Sequence, residues 1–173
     1  MRNPLTRNLG YLSLVALFFL PVYTTALESD KDQPLMWSAD GDSRMSLRGE
    51  FRILVMSNNV RVTQGTLQIN GDEVIIETRI NSDEPPKITV HGSPVRYQQQ
   101  LDNEGGLVVG FGDTLMLYTD EVNGEEVLEL IGNAAIQSPD ASLKCSAITY
   151  IADRDLIREA AGPCEGVLSS TTN

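Results

Sequence analysis

Residues Asn59 to Ile76 read NVRVTQGTLQINGDEVII, and their reading decides the fold. Val60 and Val62 alternate with Arg61 and Thr63, and Leu67 and Ile69 alternate with Gln68 and Asn70. A period of two marks a strand with one dry face and one wet face. Val, Ile and Thr suit such a half-buried pleated surface. Gln64-Gly65 and Asn70-Gly71 carry turn chemistry, since glycine and asparagine tolerate positive φ. The stretch therefore predicts strand, turn, strand, turn, strand within about twenty residues.

Working outward, the same grammar recurs. Pro34 to Ala39, Ser46 to Arg48 and Phe51 to Met56 read as short strands, with a polar, mobile lead-in over 28–33. Ile88 and Val90 alternate inward within Lys87 to His91, and Gly92-Ser93-Pro94 turns the chain into Val95 to Gln98. Residues 99–106 read as a polar loop. Leu107 to Gly110, Thr114 to Thr119, and Glu126 to Leu130, with Leu128 and Leu130 on one face, follow as strands. Ile136 lies beyond Gly132-Asn133, and Leu143 to Ile151 with Leu156 to Ala160 forms a last hairpin. Turn signals every eight to twelve residues, with no helix of three turns, indicate an all-β sandwich or jelly roll. The segment from Asn133 also repeats the pattern that begins at Asn59, as expected of stacked strand pairs that share one core. The period-two pattern places Val60, Val62, Leu67, Ile69, Val74, Ile88, Val90, Leu128, Leu130 and Ile136 inside.

Residues 1–26 are read separately. Arg2 and Arg7 precede an apolar run from Leu9 to Val22, and Thr24-Thr25-Ala26 supplies small residues for cleavage. This is the pattern of a secretory signal peptide. The organisation is then a signal peptide over 1–26, one β-domain over 27–167 and a disordered Ser/Thr-rich tail over 168–173. The 173 residues carry 13 basic and 24 acidic side chains, a formal charge of −11. Cleavage removes two arginines and no acid, leaving 11 against 24, about −13. Such a chain repels phosphate backbones, which argues against nucleic-acid binding.

Chemistry is sparse. There is no nucleophile elbow, HExxH motif, phosphate-binding glycine loop or CxxC pair. Asp72-Glu73, Asp83-Glu84 and Glu125-Glu126 are neighbours in turn-like segments, a poor arrangement for acid–base work. Asp40 and Asp42 lack the further ligands of a calcium loop. Cys145, Cys164 and a distant His91 do not make a metal site. The pattern points to a non-enzyme with no cofactor. In an oxidising compartment Cys145 and Cys164 either form a disulfide or stay as two half-buried thiols. The inward row of Val, Ile and Leu is open to two readings as well: a dry core, or an apolar seam that accepts lipid chains.

Four segments carry a resemblance: DKDQPL after the signal peptide, NVRVTQGTLQINGDEV, GSPVRYQ, and LIGNAAIQ. From about Asp30 to Ala161 the chain resembles the LptA family of periplasmic lipopolysaccharide-transport proteins, which have an OstA-like domain. The resemblance implies a twisted β-jelly roll with an open apolar groove, stacked head to tail with itself and with OstA-like domains of the inner- and outer-membrane complexes. Lipid A acyl chains of lipopolysaccharide would slide along that groove to the outer-membrane translocon, without catalysis. The resemblance adds Leu35 and Trp37 at the groove entrance, Tyr97 as a lining aromatic, and Leu115 and Leu117 on a lining strand. A one-residue slip would put Met116 and Tyr118 inside instead. Ser57-Asn58-Asn59 departs from the family's T-G-N, the cysteines have no family counterpart, and the short tail leaves the terminal strand open. The expected docking edges are Leu35 to Ser38 and Leu156 to Ala161. The alternative is an OstA-like scaffold that assembles without carrying lipid.

Overall fold

The computed structural model describes residues 28–101 and 106–168. The expected signal peptide and all of the expected tail except Leu168 lie outside the described residues.

After a single helical turn, α1 (Glu28–Lys31), the described chain is a meander of antiparallel strands in one ten-stranded sheet. β1 (Met36–Ser38) and β2 (Ser43–Arg48) both pair with β3 (Phe51–Gln64). β4 (Leu67–Arg79), β5 (Lys87–Gln100), β6 (Leu107–Thr119), β7 (Glu126–Gln137) and β8 (Ala141–Ile151) follow side by side. β9 (Leu156–Ala161) and β10 (Glu165–Leu168) then share the far edge of β8. The all-β jelly-roll class expected from the sequence is the one observed.

The strands are longer than the alternation suggested. Phe51–Met56 and Asn59–Gln64 are one strand, as are the two segments either side of Gly71, of Gly92-Ser93-Pro94, of Gly112 and of Gly132. At each of these places the register shifts by a bulge: between Ser57 and Val60, Asn70 and Glu73, His91 and Val95, Phe111 and Thr114, and Ile131 and Ala134. Every second expected turn is thus a bulge, because both use the same residues. Asn58 and Asn59 sit at φ 64° and 46°, and Gly132 and Asn133 at 74° and 47°. At Gly71 the reason is space, since a Cβ there would collide with Val90 Cγ1. A bulge bends its strand and sharpens the local twist. Five in line crease the whole sheet.

The crease gives two layers. One holds residues 60–71, 95–101, 106–112 and 134–145, with β1 and β10. The other holds 51–57, 73–79, 87–91, 114–119, 126–131 and 147–151, with β2 and β9. A sheet must cover its apolar face, and here each layer covers the other. Val62, Ile69, Tyr97 and Ile136 from the first layer share one buried cluster with Val74, Val90, Leu115, Leu130 and Ile148 from the second. The repeat noted from Asn59 and Asn133 corresponds to two hairpins of the first layer, each leaving the crease and returning to it.

Both outer edges are split at the crease. Between β1 and β2, Asp40 N and Gly41 N donate to the carbonyls of Asn58 and Ser57, and Asn59 Nδ2 donates to Asp40 Oδ2 at 2.8 Å. Between β9 and β10, a disulfide joins Cys145 to Cys164. Three expectations change here. The lead-in over 28–33 contains α1, which is anchored rather than loose. Gln99 and Gln100 belong to β5 and Leu101 is buried, so the polar loop is shorter than 99–106. Leu168 is the last residue of β10, not the start of a tail.

Two predictions follow from this packing. Val62→Asp sets an unpaired carboxylate at a fully buried position and should cost roughly 4 kcal/mol. Thermal melting checks it, and an unchanged midpoint would contradict the assignment of that face. Cys164→Ser should cost about 3 kcal/mol on the chain-entropy account. Amide exchange should then quicken over 141–144, where β10 pairs, and not over β4 to β6.

Candidate functional site

The interior between the layers is the candidate site. Period two sends every other residue of each strand into it, and the bulges reset the phase so that both halves of a strand point the same way. Val60, Val62, Leu67, Ile69, Val74, Ile88, Val90, Tyr97, Leu115, Leu117, Leu128, Leu130 and Ile136 are all buried in this one cluster. Leu115 and Leu117 pair with Leu130 and Leu128 and face inward, so no slip brings Met116 or Tyr118 inside. Leu35 is half-buried against the cluster. Trp37, expected at the groove entrance, is 45% exposed. Its strand is three residues long and pairs only at the margin of the first layer, with β3.

Sequence reasoning missed Met56, Ile76, Val95, Val108, Ile148 and Tyr150, which are buried in the same cluster. Their alternation is present in the sequence, but bulges taken as turns hid its continuity. The interior is shut to solvent, with Val62, Val74, Val90, Leu115 and Leu130 each at 0%. A depression of about 960 Å³ lies elsewhere, on the outer face, lined by Phe51, Arg79, Lys87, Met116, Tyr118 and Glu129. Its lining alternates with the inward residues of the same strands, and the side chains of Glu77, Glu84, Asp120 and Glu121 crowd it with negative charge. The apolar interior is the better candidate for an apolar ligand.

Opposite the crease, the free ends of the two layers meet at a mouth, and the polar groups of the interior gather there. Tyr97 is buried, and its hydroxyl donates to Gln99 Oε1 at 2.5 Å. Burial, and then the carboxylates of Glu126 and Asp30, push this phenol well above its ordinary range, so it stays neutral. Tyr150 of the opposite layer donates to Asp155 Oδ1 at 2.8 Å and is likewise held neutral, chiefly by burial.

Asp30 of α1 is 5% exposed and fully engaged. Its Oδ1 accepts from Thr66 N at 2.8 Å, and its Oδ2 accepts from Thr66 Oγ1 at 2.6 Å and Gln99 Nε2 at 3.3 Å. Gly65 makes the room, at φ 58°, because a Cβ there would collide with Asp30. Lys31 Nζ reaches Asp153 Oδ1 at 2.6 Å in the other layer, and Asp153 Oδ2 accepts from Glu126 N at 2.7 Å. Gln64 Nε2 donates to the carbonyls of Lys31 and Gln33. A buried carboxylate with three donors outweighs a half-exposed ion pair, which contributes at most about 1 kcal/mol. Asp30 is therefore the principal anchor of α1.

Glu126 sits among these groups with its carboxyl pKa raised, first by burial, against a lowering by Lys31 and with further raising by Asp153 and Asp30. A raised carboxylate binds its proton more tightly when folded. Its stability is complete below the unfolded pKa and is lost as pH rises through the folded one. Glu126→Gln removes that loss, so the variant should melt higher than the parent at pH 7 and equally at pH 4. Melting curves at the two values test this, and a variant less stable at pH 7 would contradict the sign.

With the geometry described, comparison with known proteins gives a consistent result. The family model for the LptA/(LptD N-terminal domain) LPS transport protein matches residues 43–155. The lipopolysaccharide export system protein LptA of Escherichia coli K12 is 30% identical over 149 residues, covering 86% of this chain and 75% of that protein. The protein of that name from Haemophilus influenzae is 35% identical over 127 residues, covering 72% and 69%. In structure, LptH, the LptA-homologous periplasmic component of the lipopolysaccharide transport device from Pseudomonas aeruginosa, superposes with a TM-score of 0.63. That match spans 82% of this chain and 99% of LptH at 20% identity, which establishes the common fold. A creased all-β sheet with an apolar interior, matched over most of its length by family model and relatives, belongs to the LptA/LptD N-terminal domain family of lipopolysaccharide-transport proteins.

Proposed function

We propose that this chain is a periplasmic carrier that passes lipopolysaccharide toward the outer-membrane translocon, holding the lipid A acyl chains between its two layers. The observation that carries the reading is continuity. Every long strand from β3 to β8 contributes buried apolar side chains to one cluster, so the interior runs across the whole sheet. Burying an acyl chain there gains roughly 0.8 kcal/mol per methylene. That suits a chain whose net negative charge argues against a basic cradle for anionic head groups.

The same reading uses both edges. The first comprises β2 as well as β1, with Met36, Trp37, Met45 and Leu47 exposed. The last comprises β10 as well as β9, with Leu156, Val167 and Leu168 exposed. Strand edges are templates for another chain. Joining unlike edges is heterologous and builds an open stack, through which copies of this protein and OstA-like domains of the membrane complexes would share one interior. The shut interior favours a second reading, a scaffold with a dry core.

Site-specific photocrosslinking in cells separates the two. A photoreactive residue at Leu117 or Ile88, inside, should capture lipopolysaccharide, whereas one at Thr89 or Glu129, outside, should not. Folded, exported variants that capture no lipid from inside positions would leave only the scaffold.

A further inference from the structure

Resting on the carrier reading, we infer that α1 and the chain to Leu35 form a releasable strap across the mouth, and that acyl chains pass in and out sideways beneath it. The crease is closed by covalent chain, since β3 to β8 run through it unbroken, and the two edges, each pinned where it crosses the crease, open only onto the next domain of the proposed stack. The fourth side is the mouth. There the layers end in separate turns, at 64–66 and 138–140 for one and at 120–125 and 152–155 for the other.

α1 spans that gap. Asp30 holds it to Thr66 and Gln99 of the first layer, and Lys31 holds it to Asp153 of the second. The contacts of Asp30 and Lys31 that hold it are polar ones. Such contacts exchange with water at modest net cost, somewhat more for a charged group than for a neutral one. Side chains at 0% exposure leave no room for an acyl chain in the closed state. The layers must part, and the mouth is where parting breaks no strand pairing. Tyr97 and Leu101, buried on either side of the Gln99 that holds Asp30, would be the first apolar surface met.

The experiment uses the mature protein in two variants. Asp30→Ala with Lys31→Ala releases the strap. Asp30→Cys with Thr66→Cys locks one end where the two side chains now touch, with the native disulfide verified by mass spectrometry. Opening is read without lipid, by maleimide labelling of a Leu101→Cys reporter. Release should speed labelling at least tenfold with little change in global melting, and the lock should slow it. Uptake is read with purified Kdo2-lipid A, which should bind the released variant several-fold faster and the locked one at least tenfold slower than the parent.

Labelling unchanged by release overturns the strap, whatever lipid does. Labelling that responds while lipid binds all three proteins at one rate overturns sideways passage and leaves the carrier reading standing. Labelling that responds while no protein binds lipid overturns both sideways passage and the carrier reading.

Discussion

The structure depends on one constraint: a sheet with a single apolar face must cover that face, and this sheet covers it with itself. No helix is available for the task among the described residues, since α1 is one turn long. The covering therefore requires each long strand to bend at the same height. Five aligned bulges supply the bend. They also keep the inward phase, so that Val62 and Met56 on one strand, or Tyr97 and Val90 on another, reach a common interior. A strand that bent elsewhere would present its polar face to its neighbours' apolar one.

This constraint explains what was legible in the sequence. The inward face was readable nearly residue by residue, because alternation survives on either side of a bulge. Thirteen of the fifteen expected lining residues are buried, Leu35 is half-buried and Trp37, expected at the entrance, is half exposed. Strand length was not readable. Asn70-Gly71 and Gly132-Asn133 carry the composition of turns, and only the pairing partner decides whether such a pair reverses a chain or bends it.

The mouth was invisible for another reason. Asp30 meets Thr66 and Gln99 across separations of 36 and 69 residues, and no local pattern marks an aspartate in a polar segment as buried. The signals were there in pieces: Gly65-Thr66 lies in the VTQGT segment that carried the resemblance, and Asp30 opens DKDQPL. The structure shows why both matter together, since the glycine vacates the space that the carboxylate fills.

The splitting of the edges at the crease has a consequence for solubility. A partner lying along either margin finds at most six residues in register, in β2 or β9, before the chain changes layer. Long flat edges nucleate fibrils, and short interrupted ones are a common protection against them. The same interruption requires a legitimate neighbour to match two short ladders at a fixed angle. Indiscriminate strand addition by unfolded chains meets only one ladder at a time, so the geometry that would serve the proposed stack also discourages amyloid.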